Sequence, residues 1–337
     1  VCHEKLASGR PVQVFGEYVR DAGEATGVHG QYGLMQSPAG QVVSAMRLES
    51  SDARRTAIVI TNPYAGSGGP SPLRADVTVL SGDGRSRRAR LPVLAPRATA
   101  VVYLDEVFSD LPAFLGGRPG HVRLKIPCPS SRIATFVEHG SGGRRVVSHG
   151  TVDRVFDQGG GIPSGVAGAN PVASCFVVCD VERDTVIALP NVWGPIPDDY
   201  IAVIDFFTPD GTFLSRHEER VPRNAFVEVS ARAALSTAGR QAPPYCHAEI
   251  SLRPLRPLDE LPTTFDVLVS LVDRGELVGE VQVGSDFYNA AVPAGVLWPD
   301  IRRTRVFGRV RMEGGSRSKI FLTHPSASTD HCAVAQP

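Results

Sequence analysis

One phrase recurs along this chain and constrains it more than any other feature: TAIVITNPYAG from Thr56, TVIALPNVWG from Thr185, and SKIFLTHPSA from Ser318. Around the first two, other segments keep step in the same order. SAMRLESSDARRT from Ser44 lies over ASCFVVCDVERDT from Ala173, and GDGR at Gly82 lies over PDGT at Pro209. APRATAVVYL at Ala95 meets VPRNAFVEVS at Val221, and HVRLKI at His121 meets HAEISL at His247. Anchors 126 to 129 residues apart are much farther apart than the roughly 20 to 50 residues of a solenoid unit, so each copy is expected to be a whole domain.

The segments inside each copy have the chemistry of strands. ADVTVL, TAVVYL, HVRLKI and IATFVEH are rich in Val, Ile, Thr and aromatics, and Gly, Pro, Asp and Ser bound them. The Asp-Gly pairs in GDG and PDG supply the positive φ of a tight turn. Helical period is confined to EVFSDLPAFL and ARAALSTAG. The expected fold is all-β: tandem antiparallel β-sandwich domains, about seven strands each, arising from an internal duplication. In strand count and repeat length it resembles tandem immunoglobulin-like or fibronectin-like sandwiches in a general way, an architecture that hosts many functions.

Ile58 and Ile60 alternate with Ala57 and Val59, and Ile187 and Leu189 with Val186 and Ala188. Strands apolar on both faces belong inside a sheet that is covered on both sides, and copy packed on copy is one way to cover them. VHGQYGLMQSPAG from Val28, SHGTVDRVFDQGG from Ser148 and VGEVQVGSDFYNA from Val278 each stand just before the next copy. The expected organisation is a tail of a preceding unit over 1–40, sandwiches over 41–157 and 166–289, and the head of a further unit over 290–337. DQGGGIPSGVAGANP, from Asp157 to Pro171, is the expected boundary. A start at Val1 and a third phrase cut short at Pro337 suggest a piece of something longer.

Lys plus Arg and Asp plus Glu are 35 each, so no net positive charge draws the chain to a phosphate backbone, and nucleic acid is not an expected partner. RSRRAR, from Arg85 to Arg90, reads as a solvated strand. No run approaches the roughly 20 apolar residues that span a bilayer as a helix, and membrane insertion is not expected.

Six cysteines, Cys2, Cys128, Cys175, Cys179, Cys246 and Cys332, do not fall at matching places in the copies, which argues against an inherited disulfide framework. In CFVVC, Cys175 and Cys179 share a strand face but stand roughly 13 Å apart, too far for one bridge or one metal. They read as small buried residues, and a bridge, if any, would join Cys128 to one of them. A hairpin closed at Gly140 to Gly143 would set His139 opposite Arg144 and His149 opposite Ala134, too far apart for a shared metal. His121 and His247 each open a strand and read as half-exposed, hydrogen-bonded histidines. No metal or other cofactor is expected.

Motifs that chemistry requires are missing from the sequence. There is no G-x-S-x-G and no G-K-[ST], and HEKLA and HEERV lack the second histidine of a zinc helix. The carboxylate pairs Asp105-Glu106, Asp198-Asp199 and Asp259-Glu260 are adjacent residues, which point to opposite faces if they lie on strands. The chain is read as a non-catalytic repeat acting outside the cytoplasm as a spacer or interaction module, with a protein partner or its own copies. The alternative is a carbohydrate-binding module, and an enzyme with a site assembled from distant residues ranks third. The one candidate site is the loop after the repeated phrase. Tyr64 follows TNP in the first copy. In the second, Trp193, Asp198, Asp199 and Tyr200 share one proline-stiffened connection that could stack on a sugar ring or grip a partner.

Overall fold

The computed structural model describes residues 13–19, 25–31, 42–51, 54–62, 72–126, 134–141, 144–149, 151–152, 162–163, 172–191, 198–239, 243–256, 260–261 and 266–284. Tyr64, Trp193, Cys2, Cys128, Cys332 and the third phrase lie outside these residues. The chain is all-β. A hairpin of β1 (Gln13–Val19) and β2 (Ala25–Gln31) comes first. Next come β3 (Val42–Leu48), β4 (Arg54–Thr61), β5 (Asp76–Leu80), β6 (Ser86–Arg90) and β7 (Thr99–Tyr103), then the short helices α1 (Leu104–Val107) and α2 (Leu111–Leu115). They are followed by β8 (Gly120–Ile126), β9 (Ala134–Ser141), β10 (Arg144–His149) and the two-residue β11 (Thr151–Val152). After β12 (Ile162–Pro163) come β13 (Val172–Val178), β14 (Arg183–Pro190), β15 (Tyr200–Phe207), β16 (Phe213–Val221) and β17 (Phe226–Ser230). Helix α3 (Ala231–Thr237), β18 (Tyr245–Pro254), β19 (Glu260–Leu261), β20 (Asp266–Asp273) and β21 (Glu276–Gly284) complete the series.

Apart from the β1-β2 hairpin and the two-residue pair β12-β19, these strands form two pairs of antiparallel sheets. The first pair runs β11-β3-β8-β5-β6 and β10-β9-β4-β7, and the second runs β13-β18-β15-β16 and β21-β20-β14-β17. Apart from β11, the second pair repeats the order of the first, strand for strand. The first set holds nine strands, eight without β11, and the second eight, where turn spacing suggests about seven. In the second set the extra break is the turn at Arg274 and Gly275, where two successive residues take positive φ (50° and 81°) and separate β20 from β21.

Alternation along the strands builds the cores. Met46 and Leu48, Val77 and Val79, and Val122 and Leu124 face Ile58 and Ile60 across the first pair of sheets. Cys175 and Val177, Ala202 and Ile204, and Ala248 and Ile250 face Ile187, Leu189 and Val229 across the second. Each large aliphatic side chain fully buried this way contributes about 1.5–3 kcal/mol, which makes these layers the main driving force of the fold.

The repeated phrase carries the same local devices in both sets. The hydroxyl of Thr56 donates to the carbonyl of Glu49 (2.6 Å) and accepts from its N–H (3.0 Å). Thr185 makes the same pair with Val178 (3.0 and 2.9 Å). Each threonine thus ties the end of one sheet's strand to the start of a strand in the facing sheet. At the other end of the phrase, the backbone of Asn62 exchanges hydrogen bonds with Arg97 and Ala98, and Asn191 does so with Asn224 and Ala225. Arg97 and Asn224 both take the left-handed conformation, at φ 63° and 57°. The structure therefore sets Arg97 beside Asn224, one residue out of step with the sequence alignment of the two Pro-Arg pairs. Gly84 and Gly211 close matching turns at φ 86° and 84°, as the Asp-Gly pairs predict.

Both segments with helical period form short helices. Gly116, left-handed at φ 62°, ends α2, and the Ser230 hydroxyl caps α3 by accepting from the Ala233 N–H. The hairpin of β9 and β10 turns later than expected: Ser141 pairs with Arg144, His139 with Val146, and His149 with Phe136. No helix among the described residues is long and apolar enough to cross a membrane.

Candidate functional site

Residues of the two sandwiches meet on outward faces of their sheets. On β3, Met46 and Leu48 point into the core, so Arg47 and Glu49 point out, yet they are only 4% and 6% exposed. Arg47 also bonds Glu49, and its Nε and Nη2 reach the Glu228 carboxylate of β17 at 2.5 and 3.5 Å. Burial works against the guanidinium charge, but Glu228 and Glu49 outweigh it and hold Arg47 above the ordinary arginine range. Arg54 extends the network: it lies 3.6 Å from Glu49 and 3.4 Å from Glu276, and it donates to the Gly275 carbonyl at 2.8 Å. At the sheet edge, Ser148 of β10 bonds Glu280 of β21 (2.5 Å), whose other oxygen accepts from Ser270 (3.0 Å).

Beside these charges lies an apolar patch. Ala188, Phe226 and Leu268, on the outward face of β14, β17 and β20, form a small buried cluster of their own. Phe226 packs on the His121 ring of β8 with 5.1 Å between ring centroids. His121 is 0% exposed, and neither ring nitrogen has a hydrogen-bond partner among the described residues. Burial, with Arg123 alongside, lowers its pKa to about 3, so the ring is neutral at physiological pH. The expectation of a half-exposed, hydrogen-bonded histidine is therefore wrong for His121: it opens a strand, but that strand is covered from outside. The apolar outward face of β14 is covered in the same contact.

The matching row on the second sandwich has different chemistry. Pairing across the first sheet aligns Arg47, His121, Leu80 and Ser86. Across the second it aligns Phe176, His247, Phe207 and Phe213. Phe207 stacks on His247 at 5.1 Å and meets Phe213 edge-on at 5.8 Å. Phe213 is 54% exposed and Phe176 39%. His247 also sits 3.4 Å from Glu249. The sequence reading missed both this aromatic row and the buried charges of β3. Its available signal was the outward parity of Phe176, Phe207 and His247 on strands whose other face builds the apolar core.

The residues proposed for the loop site do not come together as a platform. Tyr200 begins β15 inside the core, 2% exposed, with its hydroxyl donating to the Pro190 carbonyl at 3.1 Å. Its ring is unavailable to stack on a sugar, because the alternation that points Ala202 and Ile204 inward points Tyr200 inward too. Asp199 accepts from the Arg223 N–H (2.9 Å) and from Arg220 (2.7 Å), which together lower its pKa. Asp198 is half-buried: its carbonyl accepts from the Asn191 side chain (3.1 Å), and its carboxylate lies 3.7 Å from Arg256. Tyr64 and Trp193 lie outside the described residues.

Cys175, Cys179 and Cys246 are buried free thiols. Burial and the neighbouring thiols push Cys175 and Cys246 up to about 12, which keeps both protonated and unreactive at neutral pH. Asp105 and Glu106 open α1, and Arg55 reaches both, at 2.6 and 2.9 Å. A helical turn, unlike the strand considered above, lets adjacent carboxylates share one partner. No group of three or more His, Cys, Asp or Glu side chains among the described residues is placed to hold a metal.

No protein-family model matches the chain, and no curated protein matches it in sequence. Among solved structures, a glycosyl hydrolase family 2 member from Bacteroides cellulosilyticus matches at 12% identity and a TM-score of 0.15, over 72% of this chain and 27% of that one. A β-glucuronidase from Bacteroides uniformis matches at 11% and 0.16, over 71% and 25%. The CupB6 tip adhesin from Pseudomonas aeruginosa matches at 9% and 0.15, over 80% and 96%. The chain spans about a quarter of the length of the two hydrolases. At these TM-scores the likenesses bear on neither activity nor ligand.

Proposed function

We propose that the chain is a non-catalytic stack of duplicated β-sandwiches, serving as a rigid spacer and protein-interaction module within a larger assembly. The single observation that carries this reading is the buried contact in which Arg47 of the first sandwich is held by Glu228 of the second. Sandwiches joined by a linker normally move against each other unless a substantial interface holds them. A buried, bidentate charge contact penalises such motion, because separating the partners leaves a desolvated charge without its counter-ion. The shared strand order, the two threonine ties and the paired left-handed residues support descent of both sandwiches from one unit.

Spin labels on β6 and β16, one in each sandwich, test this reading. A spacer gives one narrow distance population that does not respond to added ligands. A broad distribution would overturn the rigid reading, and saturable binding in a glycan panel would favour the carbohydrate-binding alternative.

A further inference from the structure

His121 of the first sandwich is sealed by the second, and the contact offers a charged imidazole nothing to bond. We infer that this contact is an acid-opened joint: protonation of His121 parts the two sandwiches while each keeps its own core. The inference rests on the stacked reading above and adds the condition under which the stack opens.

The geometry of the ring carries it. His121 is fully buried, although its side chain points away from the core that Val122 and Leu124 build. What covers it comes from the other sandwich: the Phe226 ring lies 5.1 Å away, tilted by 32°. Neither imidazole nitrogen has a hydrogen-bond partner among the described residues, so a charged ring would be desolvated without an acceptor. The charged groups around it do not supply one. Its own strand brings Arg123, whose field opposes a second positive charge. Across the sheet β3 sets a second cation, Arg47, opposite the ring. Glu49 of β3 and Glu228 of β17 both bond that arginine, and Arg54 of β4 lies 3.6 Å from Glu49. Glu280 of β21 is taken by Ser148 and Ser270, and β5 sets the uncharged Leu80 beside the ring.

Parting the sandwiches is the least costly way to bring water to the ring. It uncovers His121 and Phe226 together, whereas unfolding would also expose both cores. The sign follows from the two states. In the closed contact burial holds the ring's pKa at about 3, and in the open one it returns toward about 6.5, so the open form binds one more proton between those values. The ratio of open to closed chains then rises about tenfold for each pH unit below about 6.5. His247, the matching residue of the second sandwich, is no such device: it sits 3.4 Å from Glu249, which can take a proton's charge from it.

Hydroxyl-radical footprinting of the full chain from pH 7 to pH 4.5 tests this. It is read at Phe226 in the contact, at Phe114 in the core of the first sandwich and at Phe206 in the core of the second. Modification of Phe226 should rise about tenfold per pH unit below about pH 6.5 until it levels off, and fall again on neutralisation, with Phe114 and Phe206 protected throughout. His121→Phe should keep Phe226 protected over the whole range. A flat response at Phe226 in the wild type, or an equal rise in His121→Phe, would overturn the inference. So would a joint rise at all three phenylalanines, which is unfolding rather than opening. Rapid modification of Phe226 already at pH 7 would instead bring down the stacked reading itself. Should His121→Phe fail to fold, histidine NMR of the unaltered chain decides: the charged His121 signal should grow in step with Phe226 modification, and a ring still neutral where Phe226 is exposed would overturn the inference.

Discussion

The same row of four positions crosses the outward face of both sandwiches, and the two rows have diverged in a way that follows what lies on them. In the first, Arg47 and His121 are buried beneath Glu228 and Phe226 of the second sandwich. In the second, Phe176, Phe207 and Phe213 surround a histidine that keeps Glu249 as a neighbour. A matched position is therefore no guide to a matched environment: strand order and core alternation are the same in the two sandwiches, while burial of the outward face follows what is packed on it.

The largest expected effect comes from breaking the charged row. Arg47→Met leaves Glu49 and Glu228 close together without their shared cation, and removing one partner of a buried pair costs about 3–5 kcal/mol. Chemical denaturation should show that loss. Removing Arg216, an outward arginine of the second sandwich paired with Asp205 and half exposed, should cost less than about 1 kcal/mol. Equal losses would mean that the two faces do not differ in burial.

A smaller effect separates the rows by pH. His121 has a folded pKa depressed to about 3, so the unfolded chain binds a proton that the folded chain refuses between that value and the ordinary 6.5. Its share of stability is present above about pH 6.5 and is lost as pH falls below it, by about 1.4 kcal/mol per unit. Between pH 7 and pH 5 the wild type should therefore lose about 2 kcal/mol more than His121→Phe does. Parallel pH profiles for the two proteins would show that His121 is not held neutral in the fold.

The smallest expected effect is the difference between two matched substitutions, which sharpens the comparison in the other direction. Thr56→Val and Thr185→Val each remove a hydroxyl that serves a buried N–H and a buried carbonyl, and each should cost about 1–3 kcal/mol. The two losses should agree within about 0.5 kcal/mol, the scatter typical of independent sites. A loss in one sandwich alone would show that the repeated phrase no longer does the same job in both.

Legibility in the sequence follows the same division. The all-β class, the short helices and the Asp-Gly turns depend on neighbours along the chain, and Ile58, Ile187, Gly84 and Gly211 made them readable. That β14 is covered on both sides was also readable, because Ala188 and Ile187 are both apolar. The burial of Arg47 and Glu49 was not, since charges alternating with Met46 and Leu48 read as a solvated face until a distant segment is placed on them. Tyr200 was assigned to a loop site because it follows two aspartates, whereas its parity with Ala202 and Ile204 already pointed it inward. The step of one residue between Arg97 and Asn224 was hidden by a Pro-Arg pair in each copy, which sequence identity aligned and backbone conformation did not. For Trp193, Asp198 and Asp199 the sequence supplied proximity along the chain, but the groups that engage Asp198 and Asp199, namely Asn191, Arg220, Arg223 and Arg256, come from the phrase end, from β16 and its following turn, and from just past β18.

The central claim is that the second sandwich buries the outward face of the first. A double-mutant cycle between Arg47→Met and Glu228→Gln, followed by equilibrium denaturation, tests it most directly, because these residues are far apart in sequence and meet only through that contact. The stacked structure predicts a coupling energy of about 2 kcal/mol or more, within the range of residues in direct contact. Losses that add within about 0.5 kcal/mol would contradict it.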